Sequence, residues 1–245
     1  MGSLDAAVAV ASYLEGTAVF AVPTLVEGRR IEVAGLYHPL IPAPVANDFN
    51  LVESGALIAG PNMAGKTAFI RTIGMNLILA QTFNFCLAQR AVLPRATVHS
   101  SIRREDHLSD GESYFFTEIK QVLGFTTSAA TGPLQVFLID EIFRGTNTVE
   151  RIASSAAVLR HLARRQLVFA TTHDTELQVM LADSFEMFHF TDQVVEQRYG
   201  FDYRIQPGPV RSRNAIKLLA LSGYPPEITE EAARIAAMIE SQKQP

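Results

Sequence analysis

One short segment has the residue types and the spacing of a loop that binds phosphate. Its pattern is glycine, four residues, glycine, lysine and threonine, and it reads Gly60-Pro61-Asn62-Met63-Ala64-Gly65-Lys66-Thr67. An apolar run at residues 56–59 precedes this loop, and a helical pattern begins at Ala68. In this setting the backbone N–H groups and the positive end of the helix dipole would face phosphate oxygens. Lys66 would reach the outer phosphates, and the Thr67 hydroxyl would bind Mg²⁺. The less specific interpretation is a glycine turn beside a solvated lysine.

Two adjacent carboxylates follow a second apolar run. Asp140 and Glu141 come directly after residues 136–139, whose wholly apolar character is typical of a central parallel strand buried on both faces. At the end of such a strand Asp140 would hold Mg²⁺, and Glu141 would polarise the attacking water as a general base. A helix cap or a solvated turn is the alternative explanation for the pair.

A histidine follows the next apolar run. The segment Thr171-Thr172-His173 comes after residues 167–170, and a histidine there would contact the terminal phosphate. On its own, such a histidine would more often be an ordinary strand-end residue with satisfied hydrogen bonds. Its position after the strand that follows the acidic pair favours the functional interpretation.

The alternation of apolar runs and helical patterns predicts an α/β fold with a mostly parallel sheet flanked by helices. Ligands should gather at the carboxyl ends of the strands. Residues 184–190 and 201–205 are expected to be edge strands joined through a polar turn at 197–200. Helices are predicted at about 4–14, 68–81, 112–128, 149–164, 213–221 and 227–239. The last helix carries an apolar stripe that includes Ile228, Ile235 and Ile239, and packing on the domain is favoured over contact with a partner.

Composition limits the size of the core, the partners and the location that can be expected for the protein. The 245 residues are 48% hydrophobic, enough for a large core, and the net charge of −4 provides no general attraction to nucleic acid or anionic membranes. The single cysteine, Cys86, cannot form an internal disulfide, and no signal-peptide pattern is present, so a cytoplasmic location is expected. No apolar stretch reaches the roughly 18 residues that a membrane span needs. Because the first three residues resemble an expression remnant, we expect Leu4 to be internal to a longer parent protein.

The order of these motifs resembles the ATPase domain of the MutS family of DNA mismatch-repair proteins, a branch of the ABC-type ATPases. The resemblance extends from about Leu4 to Glu240. Its most specific marks are the Pro-Asn-Met insert of the 60–67 loop, the stretch Asp140-Glu141-Ile142-Phe143-Arg144-Gly145-Thr146-Asn147-Thr148, the stretch Thr171-Thr172-His173-Asp174-Thr175-Glu176-Leu177, and Tyr37-His38-Pro39.

The resemblance implies a P-loop NTPase of the ABC-ATPase type that uses ATP and Mg²⁺ and releases ADP and phosphate. It also implies a homodimer with two composite nucleotide sites, linked by residues 144–148. Ser113, in the stretch 106–115, would contact the γ-phosphate bound to the opposite subunit. Ser109 is the rival, and a plain N-cap serine is the alternative. DNA contact is expected through parts of the parent protein outside this chain.

The resemblance also predicts how the chain is divided into segments and what the function of the ATPase domain is. Residues 1–35 are expected to be the remnant of a preceding helical or core domain, 36–223 the ATPase domain of the MutS type, and 224–245 a C-terminal helix that could contact the dimer partner. The expected function is to couple nucleotide-dependent dimerisation to DNA mismatch repair or DNA binding. A paralogue that acts on recombination intermediates or another partner is the alternative, and a transporter nucleotide-binding subunit is a further one.

Three departures from the family pattern carry expectations of their own. Ala64 replaces a glycine, which requires that position to avoid positive φ, and Phe143 replaces a glycine after the acidic pair. Pro44-Val45 stands where the family places an aromatic residue against adenine, so an apolar contact from Val45 is expected. The string Phe116-Thr117-Glu118 matches the family's mismatch reader only in its letters, because it lies inside a predicted helix. Five basic residues are expected to be solvated surface residues rather than DNA contacts: Arg103, Arg104, Arg211, Arg213 and Lys217.

Overall fold

The computed structural model describes residues 2–102, 114–129, 132–143, 145–195, 198–210 and 215–242. The helices of this part are α1 (Gly2–Glu15), α2 (Lys66–Phe83), α3 (Tyr114–Ser128), α4 (Thr148–Ala163), α5 (Thr175–Met180), α6 (Ala215–Leu221) and α7 (Pro226–Gln242). The strands are β1 (Thr24–Val26), β2 (Arg30–Leu36), β3 (Asn47–Val52), β4 (Gly55–Ala59), β5 (Arg90–Pro94), β6 (Thr97–Ser101), β7 (Gln135–Asp140), β8 (Leu167–Thr172), β9 (Phe185–His189), β10 (Asp192–Val195), β11 (Arg198–Phe201) and β12 (Gln206–Pro207). Each predicted helix corresponds to a helix of the structure, with ends that shift by a few residues.

The main sheet has six strands in the order β12-β9-β4-β8-β7-β6. All its neighbouring strands run parallel except the short β12, which is antiparallel to β9. Every residue of β4 and β8 is buried, and so are the first five of β7. Full burial on both faces explains why these strands read as unbroken apolar runs. The predicted α/β fold with a mostly parallel sheet flanked by helices is confirmed.

The two faces of the main sheet are covered by different helices. Alternate residues of a strand point to opposite faces, so Ala56 and Ile58 join one core while Leu57 joins the other. The first core holds Ile70 and Leu77 of α2. The second core holds apolar residues of α3, α4 and α5. The helix that follows the 60–67 loop therefore lies on the opposite face of the sheet from the helix that follows the acidic pair.

A second sheet, in the order β1-β5-β2-β3, packs against the core that contains α2. Its strand β3 was not predicted, because three polar residues interrupt it, yet Phe49 and Leu51 alternate with them and are buried. Strand β2 crosses the predicted boundary at residue 35, and Ile31 and Val33 share a core with β3. Strand β1 and the start of β2, which lie before that boundary, are thus part of this sheet.

The prediction for residues 184–205 was wrong in two respects. Strand β9 is not an edge strand, because it lies between β4 and β12. Residues 201–205 do not pair with it. The hairpin in this region is β10 with β11, a two-stranded antiparallel sheet of its own. Phe185 and Phe188 are the buried residues that hold β9 in the main sheet.

The C-terminal helices α6 and α7 pack on each other. On α7 the side chains of Ile228, Ile235 and Ile239 are 48%, 47% and 51% exposed. Packing of this stripe into the domain core, which the sequence favoured, is therefore wrong.

The structure bears on the reactivity of the single cysteine. Cys86 is buried, and burial raises the pKa of its thiol to about 12, so the thiol stays protonated and unreactive at neutral pH.

In the described part of the chain no helix is long and apolar enough to cross a bilayer.

Two helical glycines provide a matched test of the packing of α2. A Cβ at Gly74 would overlap Cδ1 of Leu138, which is itself buried in β7, whereas a Cβ at Gly124 of α3 would meet nothing within 4 Å. We predict that Gly74→Ala lowers the free energy of unfolding by about 1 to 3 kcal/mol. Gly124→Ala should leave it unchanged or raise it by up to about 1 kcal/mol. Urea denaturation measures both, and equal stability of the two variants would contradict the tight fit.

Candidate active site

The 60–67 loop turns sharply at positions that favour glycine. Gly60 has φ +139, and a Cβ there would lie 2.5 Å from the carbonyl oxygen of Phe190, so a side chain has neither the conformation nor the space it needs. Positive φ also occurs at Met63 and Gly65. Ala64 is not among the positive-φ residues, which confirms the expectation for this departure. Helix α2 begins directly after Gly65, and no side chain caps its first turn.

Lys66 is buried, with 4% of its surface exposed. Its ammonium donates hydrogen bonds to the carbonyl oxygens of Gly60 and Pro61, both at 2.9 Å. Nζ also lies 3.9 Å from Oε1 of Glu141 and 3.5 Å from Nε2 of His173. A buried cation needs such partners, since an isolated one would lose its hydration without compensation. The loop thus holds the lysine beside the two residues predicted to act at the terminal phosphate.

Thr67 and Asp140 meet across the gap between α2 and β7. The Thr67 hydroxyl lies 3.0 Å from each carboxylate oxygen of Asp140. The hydroxyl of Thr171 donates to Oδ1 of Asp140 at 2.6 Å. Hydroxyl and carboxylate oxygens are the hard ligands that Mg²⁺ prefers, and in nucleotide sites the substrate phosphates supply further oxygens. Among the described residues no group of three or more His, Cys, Asp or Glu side chains forms a metal cage.

Glu141 and His173 are in direct contact. Nε2 of His173 lies 2.5 Å from Oε1 of Glu141 and 2.8 Å from Oδ1 of Asn62. The side chain of Glu141 is 10% exposed and that of His173 is 35% exposed. The histidine therefore bridges the acid after β7 and the loop after β4. This geometry is suited to orienting a carboxylate toward a bound water molecule.

Behind this contact, an ion pair joins the segment after β8 to α4. Arg151 donates to the two carboxylate oxygens of Asp174 at 2.7 and 3.2 Å. Asp174 occupies the N-cap position of α5, yet its side chain makes no capping hydrogen bond there. The carboxylate is committed to Arg151 instead. Sequence reasoning did not identify this pair, because its members lie 23 residues apart on different elements.

A cavity of about 420 Å³ lies next to the loop, on the side of α2. Val45, Met63, Phe69 and Tyr203 are among the residues that line it. Asn47 fixes its far wall, because its side-chain amide donates to the carbonyl oxygen of Tyr203 at 3.0 Å and accepts from the backbone N–H of Ile205 at 2.8 Å.

Val45, which the sequence predicted to make an apolar contact with the base, lines this cavity. Tyr203 lines it as well, and the sequence did not predict this aromatic residue. Nothing local in the sequence connects Tyr203 to Asn47, which is 156 residues away.

His38 also lines the cavity, and burial, together with the smaller effect of the charge of Arg71, lowers the pKa of its ring. The ring is therefore neutral at pH 7.

Several predicted residues lie outside the described part of the chain: Arg103, Arg104, Ser109, Ser113, Arg144, Arg211 and Arg213. Lys217 is described and is exposed on α6, which agrees with a solvated surface residue. Apart from Val45, which lines the cavity, the other predicted site residues come together at the carboxyl ends of β4, β7 and β8.

Comparison with known proteins places the chain in a family. The family model described as MutS domain V matches residues 56–240. The DNA mismatch repair protein MutS of Thermus thermophilus is 30% identical over 217 residues, which are 86% of this chain and 26% of that protein. The protein of the same name from Leuconostoc mesenteroides is 32% identical over 240 residues, 91% of this chain and 28% of that protein. That of Leptospira interrogans is 31% identical over 238 residues, 90% of this chain and 28% of that protein.

The chain thus spans 26% to 28% of the length of these relatives. The alternative of a transporter nucleotide-binding subunit is wrong, because the family model and the relatives agree on another family. The chain belongs to the MutS family, as its domain V.

Proposed function

We propose that this chain is the ATP-binding and ATP-hydrolysing domain of a MutS-family protein, with a P-loop NTPase fold of the ABC type. In the parent protein it would couple nucleotide-dependent dimerisation to DNA mismatch repair or DNA binding. The observation that carries the proposal is the convergence of Lys66, Thr67, Asp140, Glu141 and His173 at the ends of three parallel strands. The relatives, which are named DNA mismatch repair proteins, support the biological setting.

The triphosphate would lie over the 60–67 loop. The uncapped first turn of α2 presents backbone N–H groups and the positive end of a helix dipole, both of which favour anions. The ammonium of Lys66 donates to two loop carbonyls, and phosphate oxygens offer it a stronger, charge-assisted partner. The buried lysine therefore needs only a local change in partners to bind the outer phosphates.

Thr67 and Asp140 would hold Mg²⁺ in this site, because their oxygens already converge within 3.0 Å. When bound, the cation neutralises charge on the β- and γ-phosphate oxygens. Thr171 keeps the Asp140 carboxylate in place through its hydroxyl, so the orientation of the metal ligand does not depend on the cation.

The nucleoside would occupy the cavity lined by Val45 and Tyr203. A pocket of this size with aromatic and apolar walls suits a nucleobase, and the Tyr203 ring adds a stacking surface to the apolar contact from Val45. The cavity and the loop share Met63 and Gly65 in their linings. One bound molecule can therefore place its base in the cavity and its phosphates on the loop.

Hydrolysis would use Glu141 as the general base and His173 as the residue that orients it. A water molecule held by the Glu141 carboxylate would lose a proton to it while attacking the γ-phosphorus, and the bond from this phosphorus to the β,γ-bridging oxygen would break so that ADP leaves. His173 contacts both this carboxylate and Asn62 of the loop, which supports a contact between His173 and the terminal phosphate. Lys66, His173 and Glu141 thus form the proposed catalytic group.

The direct test uses the whole chain and MgATP. Calorimetry should show saturable binding with a Kd below about 1 mM, and phosphate release should be faster than in buffer. Chelation of Mg²⁺ by EDTA serves as the control and should abolish hydrolysis. Absence of saturable binding at millimolar MgATP would contradict the proposal.

The homodimer with composite sites belongs to the same proposal, with Ser113 contacting the γ-phosphate held by the opposite subunit. We predict that Ser113→Ala reduces ATP-dependent dimerisation, because a helix N-terminus with a serine is a good phosphate ligand. Sedimentation velocity with and without ATP, in a Glu141→Gln background that preserves the nucleotide, measures this. Ser109→Ala is the control. A loss with Ser109→Ala alone would transfer the role to Ser109, and no loss with either would exclude a serine contact.

The proposal also includes the boundaries of the ATPase unit within the chain. We assign the ATPase unit to residues 36–223 together with β1 and the start of β2, since these strands share its core. Helix α1 and residues 224–245 would then contact other parts of the parent protein or its partner. DNA would be contacted by parts of the parent protein outside this chain.

A further inference from the structure

The segment after Asp140 has an unusual backbone. Glu141 has φ +54 and Phe143 has φ +62, on either side of buried Ile142. Residues with a side chain avoid positive φ, and they adopt it only where the surroundings offset the cost. The position of the Glu141 carboxylate thus depends on contacts that hold this short segment in its strained form.

Two side chains hold the ends of the segment. The backbone N–H of Glu141 donates to the Thr171 hydroxyl at 3.1 Å, and the backbone N–H of Phe143 donates to the Glu118 carboxylate at 2.6 Å. The second bond is short and charge-assisted, which makes it the stronger of the two. It reaches the segment from α3, 25 residues earlier in the chain.

Helix α3 also packs against the segment. The rings of Phe115 and Phe143 meet edge to face, with their centroids 6.3 Å apart. Gly145 passes so close to Phe115 that a Cβ at Gly145 would lie 2.7 Å from the Cβ of Phe115. One face of α3 thus fixes Phe143 by a hydrogen bond and by ring packing.

These contacts indicate a role for a three-residue string that matches the family's mismatch reader only in its letters. Phe116-Thr117-Glu118 lies on α3, as expected, and its glutamate contacts the backbone of this segment rather than solvent alone. They also show how a phenylalanine occupies a position where the family pattern has glycine, since Glu118 and Phe115 stabilise its positive φ.

We propose that Glu118 is a positioning residue for hydrolysis, which holds Glu141 at the terminal phosphate by anchoring the N–H of Phe143. The inference rests on the proposed function, in which Glu141 is the general base. Glu118 lies on α3, outside the loop of residues 60–67 and outside α2 and β7, which carry the proposed Mg²⁺ ligands, so its removal should leave nucleotide binding intact.

The test compares Glu118→Ala with Glu118→Gln and with Thr117→Ala, an exposed neighbour on the same helix. Glu118→Ala should lower kcat roughly 10- to 100-fold, because small displacements of a catalytic group cost this much, while the Kd for MgATP stays within about twofold. Glu118→Gln keeps an accepting oxygen and should recover most of the rate. Adding Phe143→Gly to Glu118→Ala should also recover part of it, because glycine adopts positive φ without strain.

A second measurement needs no nucleotide. Hydrogen exchange at the Phe143 amide should be slow in the unmodified protein and in Thr117→Ala, and fast in Glu118→Ala. An unchanged exchange rate in Glu118→Ala, or a loss of kcat matched by an equal loss of MgATP affinity, would overturn the inference. If the unmodified chain neither binds nor hydrolyses MgATP, the proposed function fails, and the exchange rates still decide whether Glu118 holds the segment.

Discussion

Glu141→Gln is expected to slow ATP hydrolysis by about 10² to 10⁴ while MgATP binding stays nearly unchanged. This corresponds to a barrier about 3 to 5.5 kcal/mol higher. Glutamine keeps the shape of the side chain and a carbonyl oxygen for the contact with His173, but it cannot take a proton from water. Single-turnover hydrolysis and calorimetric binding of MgATP measure the two effects separately.

The control for this substitution is Glu186→Gln, which removes the same charge at an exposed position of β9. Its hydrolysis rate should equal that of the unmodified chain. If Glu141→Gln also hydrolyses ATP at nearly the full rate, Glu141 is not the base, and the contact between Glu141 and His173 would need another explanation.

Lys66→Met is expected to weaken MgATP binding by at least about 100-fold. The ammonium is the one cation of the loop, it is buried, and hydrogen bonds to charged groups contribute about 1.5 to 3 kcal/mol each. Losing contacts with two phosphates therefore removes roughly 3 kcal/mol or more of binding free energy. Methionine retains an apolar stem of similar length, which limits the effect on packing.

Lys217→Met, at an exposed position of α6, is the matched control and should bind MgATP normally. Thermal unfolding of both variants shows whether the fold survives, since the carbonyls of Gly60 and Pro61 lose a donor in Lys66→Met. A folded Lys66→Met variant with an unchanged Kd would exclude the proposed phosphate contact.

The residues at the strand ends could be predicted because their positions follow from local patterns. An apolar run marks a buried strand, and parallel strands bring their carboxyl ends to one edge of the sheet. The segments that follow β4, β7 and β8 therefore had to lie near each other. The contacts of Lys66, Thr67, Asp140 and His173 agree with that expectation, although their roles in ATP hydrolysis stay predictions.

The residues that support the site could not be predicted in the same way. Packing between distant elements brings Tyr203, Glu118 and the pair Arg151 and Asp174 to their partners, and the local sequence does not show which residue each of them contacts. The strand β9 shows the same limit. The sequence predicted an edge strand, whereas β9 pairs with a neighbour on each side, and those neighbours are distant in the chain or too short to be recognised.

The two parallel hydrogen bonds between Arg151 and Asp174 resist both sliding and rotation. The backbone next to His173 and the first turns of α4 consequently behave as one mechanical unit. If His173 contacts the terminal phosphate as proposed, a displacement of the histidine on loss of that phosphate would be transmitted to α4 through this ion pair. Because α4 starts at Thr148, that displacement would reach the first residues of this helix.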